Sequence, residues 1–114
     1  EMVAALRRHK KAFSCQAKMI QLHDRDKMDD AGNYYCALGW AFARGKGKDI
    51  RHYDREQKIF STCAGAAIYR KKFIDRIGDF DEEHFAYLED LDIGYRAGSA
   101  VIRTGMLQKR RFIM

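Results

Sequence analysis

The chain has 114 residues, of which 46% are hydrophobic and 12% aromatic, enough apolar surface for the core of one small domain and too much for a disordered segment. No apolar run approaches the roughly 20 residues that span a bilayer, and no signal-peptide pattern opens the chain, so we predict a cytoplasmic protein, with the inner face of the cell membrane as a further location. A formal net charge of +6 favours an anionic partner: a nucleic acid, an acidic membrane surface or a phosphorylated small molecule.

The first half of the chain alternates between regular and irregular segments. Residues 1–11 carry apolar side chains on one helical face and cations at the C-terminal end, which predicts the last turns of a helix that starts upstream. Residues 12–21 alternate roughly between apolar and polar and predict a strand. The Asp-rich residues 22–32 predict a loop, and residues 34–42 return to an apolar, aromatic pattern.

The second half adds two helices. Residues 58–69 predict an extended segment interrupted by small side chains, and residues 70–77 a short amphipathic helix that stops at Gly78. A final helix is predicted to begin near Glu89. Three residues define the apolar face expected for it: Leu88, Leu91 and Tyr95. This order of strands and helices predicts an α/β fold.

Acidic residues are concentrated in residues 80–96, FDEEHFAYLEDLDIGYR, which hold six of the sixteen acids of the chain. They are Asp81, Glu82, Glu83, Glu89, Asp90 and Asp92. Carboxylates this close repel one another, so such a cluster is tolerated when it is well solvated, when cations neutralise it, or when proton affinities are part of a reaction. The cluster is therefore a candidate active site, with a solvated acidic helix cap as the alternative.

The residue types that bind metals predict no site. Asp24 and Asp26 form a D-x-D pattern, which chelates cations bound to nucleotide diphosphates, but the mixed charges around them favour a solvated loop. The four histidines show no pairing at ligand spacing, and the three cysteines, separated by 21 and 27 positions, match no metal knuckle. We therefore predict reduced, structural cysteines and no metal ligand in this chain.

Residues 60–97 resemble the second half of the catalytic domain of family 2 glycosyltransferases, inverting enzymes with the GT-A (nucleotide-diphospho-sugar transferase) fold. That family commonly reads GGA-hydrophobic-hydrophobic-R, a short helix, then G-x-F-D-E-x-[FY]-F-x-Y-x-E-D-x-D-hydrophobic-[CGS]-x-R. This chain reads AGAAIYR and then IGDFDEEHFAYLEDLDIGYR, with Ala64 in place of the first glycine. A looser likeness reaches back to Glu1. The resemblance implies a partial GT-A fold, with a mixed sheet flanked by helices, over residues 1–97.

The resemblance also implies roles for individual residues. Glu89 and Asp90 match the family's E-D pair, whose Asp is usually the catalytic base, and a carboxylate near a helix N-terminus is kept ionised by the dipole and the exposed amides. Asp92 and Arg96, four positions apart, are expected to pair and to act as scaffold or acceptor contacts. The remaining implied substrate contacts are the small residues Cys63, Ala64, Gly65 and Ala66.

The implied reaction is transfer of a sugar, of the hexosyl or rhamnosyl class, from a nucleotide-diphosphate donor to a glycan or lipid-linked acceptor. Such enzymes serve cell-wall or polysaccharide synthesis, so a membrane surface is a further partner and nucleic acid is not expected. The divalent cation, Mg²⁺ or Mn²⁺, is expected to bind a D-x-D upstream of Glu1. By this reading the chain is the acceptor-side half of the domain and is inactive alone.

The last part of the chain, residues 98–114, departs from the family, which usually continues with a G-Y strand and a V-x-H. One inserted base after the Ala97 codon permits the reading ARIRGYQNRYAPKAAVYH, so we hypothesise a single-base deletion and an out-of-frame tail. This tail holds four basic residues and no acid, so without it the net charge falls from +6 to +2.

Two alternatives stay open at this point. One is a basic nucleic-acid-binding module that uses the tail, the RGKGK of residues 44–48 and the aromatic side chains of Tyr34, Tyr35 and Trp40. The other is a noncatalytic remnant of a glycosyltransferase.

Overall fold

The central element is strand β1 (Ala12–Ile20), all nine residues of which are buried. A computed structural model describes residues 1–100 and 103–113, with side chains for residues 1–100, so the predicted tail lies partly outside the described residues. Rough alternation along β1 would leave one face exposed, whereas here both faces are covered. The predicted strand over residues 12–21 is therefore confirmed, but as a core strand that also buries polar side chains.

In the described residues β1 forms a mixed sheet with β2 (Met28–Asp30), β5 (Gln57–Lys58), β6 (Ala67–Tyr69) and β7 (Arg103–Ile113). The order is β2-β1-β7-β5, with β6 also paired to β1. Strand β7 runs parallel to β1, and the other three pairings are antiparallel. The predicted loop over residues 22–32 is wrong in part, because it contains β2. A three-residue strand is too short for alternation to reveal, and only its pairing with β1 defines it.

Strands β2 and β6 share one edge of β1 and leave a gap between them. β6 pairs with Ser14 to Gln16, and β2 pairs with Met19 and Ile20. Within the described residues, Ala17 and Lys18 pair only with β7 on the other edge. β6 begins and β2 ends at this gap, beside Gln16 of β1.

The described part of the chain has three α-helices, which pack against the sheet: α1 (Met2–Arg8), α2 (Lys71–Ile77) and α3 (Glu89–Ser99). Helix α1 places Ala5 and Leu6 against Ala12 and Cys15 of β1. Helix α2 ends at Gly78, as predicted, and its apolar side chains pack around Phe13. Helix α3 extends past Ala97, so it crosses the predicted start of the tail.

The buried face of α3 differs from the predicted one. Ile93 and Ala97 are fully buried against Phe13 of β1, whereas Tyr95 is 54% exposed. The start of the helix at Glu89 is as predicted. Helical spacing alone allowed either face, and the packing of Phe13 decides which face turns inward. Leu91 and Tyr95 are thereby turned toward a separate hairpin.

That hairpin consists of β3 (Asn33–Tyr35) and β4 (Ala41–Ala43), which form a two-stranded sheet of their own. Three 3-10 turns complete the described structure: Ile50–Tyr53, Ala64–Ala66 and Glu82–His84. One isolated bridge, between Asn33 and Ser61, joins the hairpin to the body of the domain. The described chain is therefore a small mixed α/β domain with a hairpin beside its last helix.

Candidate functional site

Asp90 lies in the first turn of α3 with both carboxylate oxygens held by backbone amides. Its Oδ2 accepts a hydrogen bond from the Ala64 amide at 3.2 Å, and its Oδ1 accepts one from the Leu91 amide at 2.7 Å. The two hydrogen bonds hold the carboxylate in one orientation. The structure thus brings the predicted base into contact with the predicted small-residue turn.

The turn that contacts Asp90 is hydrogen-bonded to Gln16, a fully buried residue of β1. The Cys63 amide donates to Gln16 Oε1 at 2.6 Å, and Gln16 Nε2 donates to Asp30 Oδ1 at 2.9 Å. Gln16 therefore connects Asp30 of β2 to the Cys63 turn that precedes β6. Gln16 and Asp30 were not predicted as site residues. The signal available in the sequence was the row of polar side chains at alternate positions of the strand, Ser14, Gln16 and Lys18.

Several carboxylates converge around this turn. Burial raises the pKa of Asp30, and the charges of Asp29 and Asp90 raise it further, against hydrogen bonds from Gln16 and Gly32 that lower it. Burial likewise raises the pKa of the Cys63 thiol, and the three carboxylates add to that effect. A thiol with a raised pKa is a poor nucleophile at neutral pH. Cys63 therefore acts here as a small neutral side chain.

The raised pKa of Asp30 predicts a pH-dependent stability. The folded state favours protonated Asp30, so its contribution is fully present below the ordinary pKa of 3.8 and is lost as the pH rises through the raised value. Asp30→Asn keeps the acceptor for Gln16 and Gly32 but carries no charge. We expect this variant to be more stable than the wild type at about pH 7 and the difference to shrink toward about pH 4.

Urea denaturation of both proteins at the two pH values measures this difference. If Asp30→Asn were destabilised equally at both pH values, the unfavourable burial of the Asp30 carboxylate would be contradicted.

A pocket of about 270 Å³ opens beside Asp90, between the hairpin and the start of α3. The residues that line it come from the hairpin, the Cys63 turn and the segment before α3: Asn33, Ala41, Phe42, Ala43, Cys63, Tyr87, Leu88, Asp90 and Leu91. Most of the lining residues are apolar, and the polar ones are Asn33, Cys63, Tyr87 and Asp90. This is the usual composition of a small-molecule site.

The pocket exists because small and large side chains face α3 from the hairpin. Tyr35 stacks on Phe60 at 5.4 Å between ring centroids and meets the edge of Tyr95 at 5.9 Å, which holds the hairpin away from the helix. Ala41, opposite Tyr35, and Ala43, opposite Asn33, present only methyl groups. The volume that larger side chains would fill remains open.

The segment that precedes α3 has an unusual backbone. Phe85, Tyr87 and Leu88 adopt φ values of 51°, 67° and 66°, a region that costs ordinary side chains roughly 1–2 kcal/mol per residue. All three side chains are exposed, Phe85 by 99% and Tyr87 by 86%. Strained residues that persist are concentrated at functional sites. Here the strain places two of them, Tyr87 and Leu88, on the pocket wall.

Asp92 and Arg96 form the predicted pair, with Arg96 Nε 3.0 Å from Asp92 Oδ2. Arg96 also donates to the carbonyl of Ile77 at 2.9 Å and to that of Asp79 at 2.7 Å, both at the end of α2. The guanidinium thus joins α3 to α2, which is a scaffold arrangement. Neither residue lines the pocket.

Glu89, the other residue of the predicted catalytic pair, is placed differently from Asp90. Its Oε2 is buried and accepts no hydrogen bond from the described residues. Burial raises the pKa of Tyr69 to about 12, and the charges of Asp90 and Glu89 add to this effect. Of the predicted substrate contacts, Cys63 lines the pocket, whereas Ala64 and Gly65 are exposed on the turn beside it.

The basic segment at residues 44–48 does not present all of its cations. Arg44 is buried, stacks over Tyr53 and donates to the hydroxyl of Tyr34 and to the side chain of Gln57. A guanidinium engaged in this way is not available to a phosphate. This arrangement removes the first residue of RGKGK from the predicted nucleic-acid surface.

In the described part of the chain, no group of three or more His, Cys, Asp or Glu side chains could hold a metal ion. Asp24 instead accepts a hydrogen bond from the Asp26 amide and lies near Lys27.

None of the helices described is long and apolar enough to cross a membrane.

Searches against protein-family models, characterised proteins and solved structures find no match to this chain.

Proposed function

We propose that this chain is the acceptor-side half of an inverting glycosyltransferase with the GT-A fold and that Asp90 is its catalytic base. The observation that carries the proposal is the position of Asp90, which lies at the wall of a pocket with both carboxylate oxygens oriented by backbone amides. The resemblance of residues 60–97 to family 2 enzymes assigns the same residue on independent grounds.

The chemistry needs a single base. As an acceptor hydroxyl attacks the sugar carbon, Asp90 takes its proton, and the nucleotide diphosphate leaves from the opposite face with the bonding electrons. Inversion follows from attack opposite the leaving group. The Ala64 and Leu91 amides keep the carboxylate in one orientation, so no reorganisation is needed when the hydroxyl arrives.

The residues around Asp90 support this role. Gln16 fixes the Cys63 turn, which carries the Ala64 amide that contacts Asp90. The link between Arg96 and the end of α2 holds α3, and therefore Asp90, against the body of the domain. Gln16 and Arg96 thus position the base and do not line the pocket.

The divalent cation of such enzymes neutralises the departing diphosphate. The described residues hold no group of three or more His, Cys, Asp or Glu side chains that could bind it. We expect its ligands, and the donor pocket, in a segment that precedes Glu1.

A transfer assay tests the proposal. A longer chain that includes the preceding segment is incubated with nucleotide-diphospho-sugars, Mg²⁺ or Mn²⁺ and a lipid-linked or free glycan acceptor. We expect release of the nucleotide diphosphate to depend on acceptor and the product to have the anomeric configuration opposite to that of the donor. Retention of configuration, or no transfer with any donor tried, would count against an inverting transferase.

A further inference from the structure

The pocket beside Asp90 is large enough for one small ligand. Its volume of about 270 Å³ lies just below the range of roughly 300–1,000 Å³ that drug-sized ligands occupy. A single six-membered ring with its substituents suits this space, and an oligosaccharide would have to extend out of it.

The walls of the pocket favour a ligand with one apolar face. Tyr87 brings an aromatic ring to the pocket, and Leu88, Leu91, Ala41 and Ala43 add aliphatic groups. The C–H face of a sugar ring is apolar, whereas its edge carries hydroxyl groups. Such a ring can bury its face against these walls and turn its edge toward the Asp90 carboxylate and the Asn33 amide.

The charge around the pocket selects against anions. Asp90 lines it, and Asp29 and Asp30 lie close enough to Cys63, another lining residue, to act on its thiol. Among the described residues that line the pocket, none is basic. An acidic ligand would place another carboxylate among these without a cation to offset it, which is unfavourable.

From this geometry we infer that the pocket between the hairpin and α3 is a binding site for an uncharged sugar ring of the acceptor and that it discriminates against uronic acids. The identity of the ligand as an acceptor rests on the proposed function. Its class rests on the pocket alone: aromatic and aliphatic walls, a carboxylate and an amide, and no cation.

The test uses the 114-residue chain and two matched probes, methyl β-D-glucopyranoside and methyl β-D-glucopyranosiduronic acid. Binding is measured by saturation-transfer NMR and by the fluorescence of Trp40, the single tryptophan of the chain, which adjoins Ala41. One ring with few polar contacts is expected to bind in the millimolar range. We expect the neutral glycoside to bind at least about tenfold more tightly than the acid.

Two alanine variants separate the pocket from the rest of the surface. Ala41→Leu fills the pocket and is expected to weaken binding by about tenfold or more. Ala4→Leu makes the same change at an exposed position of α1, away from the pocket, and is expected to leave binding within about twofold. Amide shifts of Cys63 and Leu91 in the wild type on addition of the glycoside give a readout that does not depend on the folding of either variant.

Equal or tighter binding of the acid, no binding of the neutral glycoside, or binding that Ala41→Leu leaves unchanged would each overturn the inference. Failure of the pocket assignment and failure of the proposed function give different results. Transfer that depends on Asp90, without sugar binding here, would overturn only the pocket assignment, whereas sugar binding without such transfer would overturn only the enzyme proposal.

Discussion

Asp90→Asn, in a longer chain that carries the donor half, is expected to lower the rate of sugar transfer by about 10²–10⁴-fold, the contribution typical of one general base. The amide of Asn cannot take a proton from the acceptor hydroxyl. It has nearly the same shape as the carboxylate and keeps one oxygen as an acceptor for the Ala64 or Leu91 amide. The free energy of unfolding should therefore change by no more than about 1 kcal/mol.

The matched control is Asp75→Asn, which removes the same charge from the exposed pair with Lys71 on α2. Transfer rates and urea denaturation of the three proteins are compared. Near-normal turnover of Asp90→Asn would refute Asp90 as the base, and an equal loss in Asp75→Asn would show that net charge rather than position matters.

Gly94→Ala is expected to destabilise the domain by about 2 kcal/mol, within the range for overpacked sites. Gly94 lies on the buried face of α3, where an added Cβ would be 2.2 Å from Ser61 Cβ and 3.2 Å from Ser61 Cα. Ser61 cannot easily yield, because it is fully buried and its carbonyl accepts a hydrogen bond from the Asn33 amide. The clash therefore pushes α3 away from the segment that supports the hairpin.

Gly98→Ala, one helical turn later, is the control. A Cβ there meets no described atom within 4 Å, so the higher helix propensity of Ala should stabilise the domain by about 0.5–1 kcal/mol. Urea denaturation of the two variants is expected to give opposite signs. If Gly94→Ala were also stabilising, the close approach of α3 to Ser61 would be wrong.

A local structural change of this kind also bears on the pocket. Asn33 both holds Ser61 and lines the pocket, so Gly94→Ala should weaken binding of methyl β-D-glucopyranoside even where the protein is fully folded. Binding that matches the wild type would show that the hairpin is positioned independently of α3.

The sequence by itself determined the features that depend on neighbours in the chain. The strand at residues 12–20, the stop of α2 at Gly78, the start of α3 at Glu89 and the pair formed by Asp92 and Arg96 all follow from local spacing. Helical periodicity, a glycine at a helix end and an i,i+4 ion pair act over one or two turns. The mixed α/β class follows from the order of such segments.

Only the tertiary structure decided which segments distant in the chain contact one another. Strand β2 exists through its pairing with β1, the buried face of α3 is chosen by Phe13, and Gln16 connects Asp30 to the Cys63 turn across 14 and 47 positions of the chain. The pocket depends on two alanines facing a helix some fifty positions away. Contacts of this kind are set by how the elements pack around one core, and no periodicity along the chain encodes them.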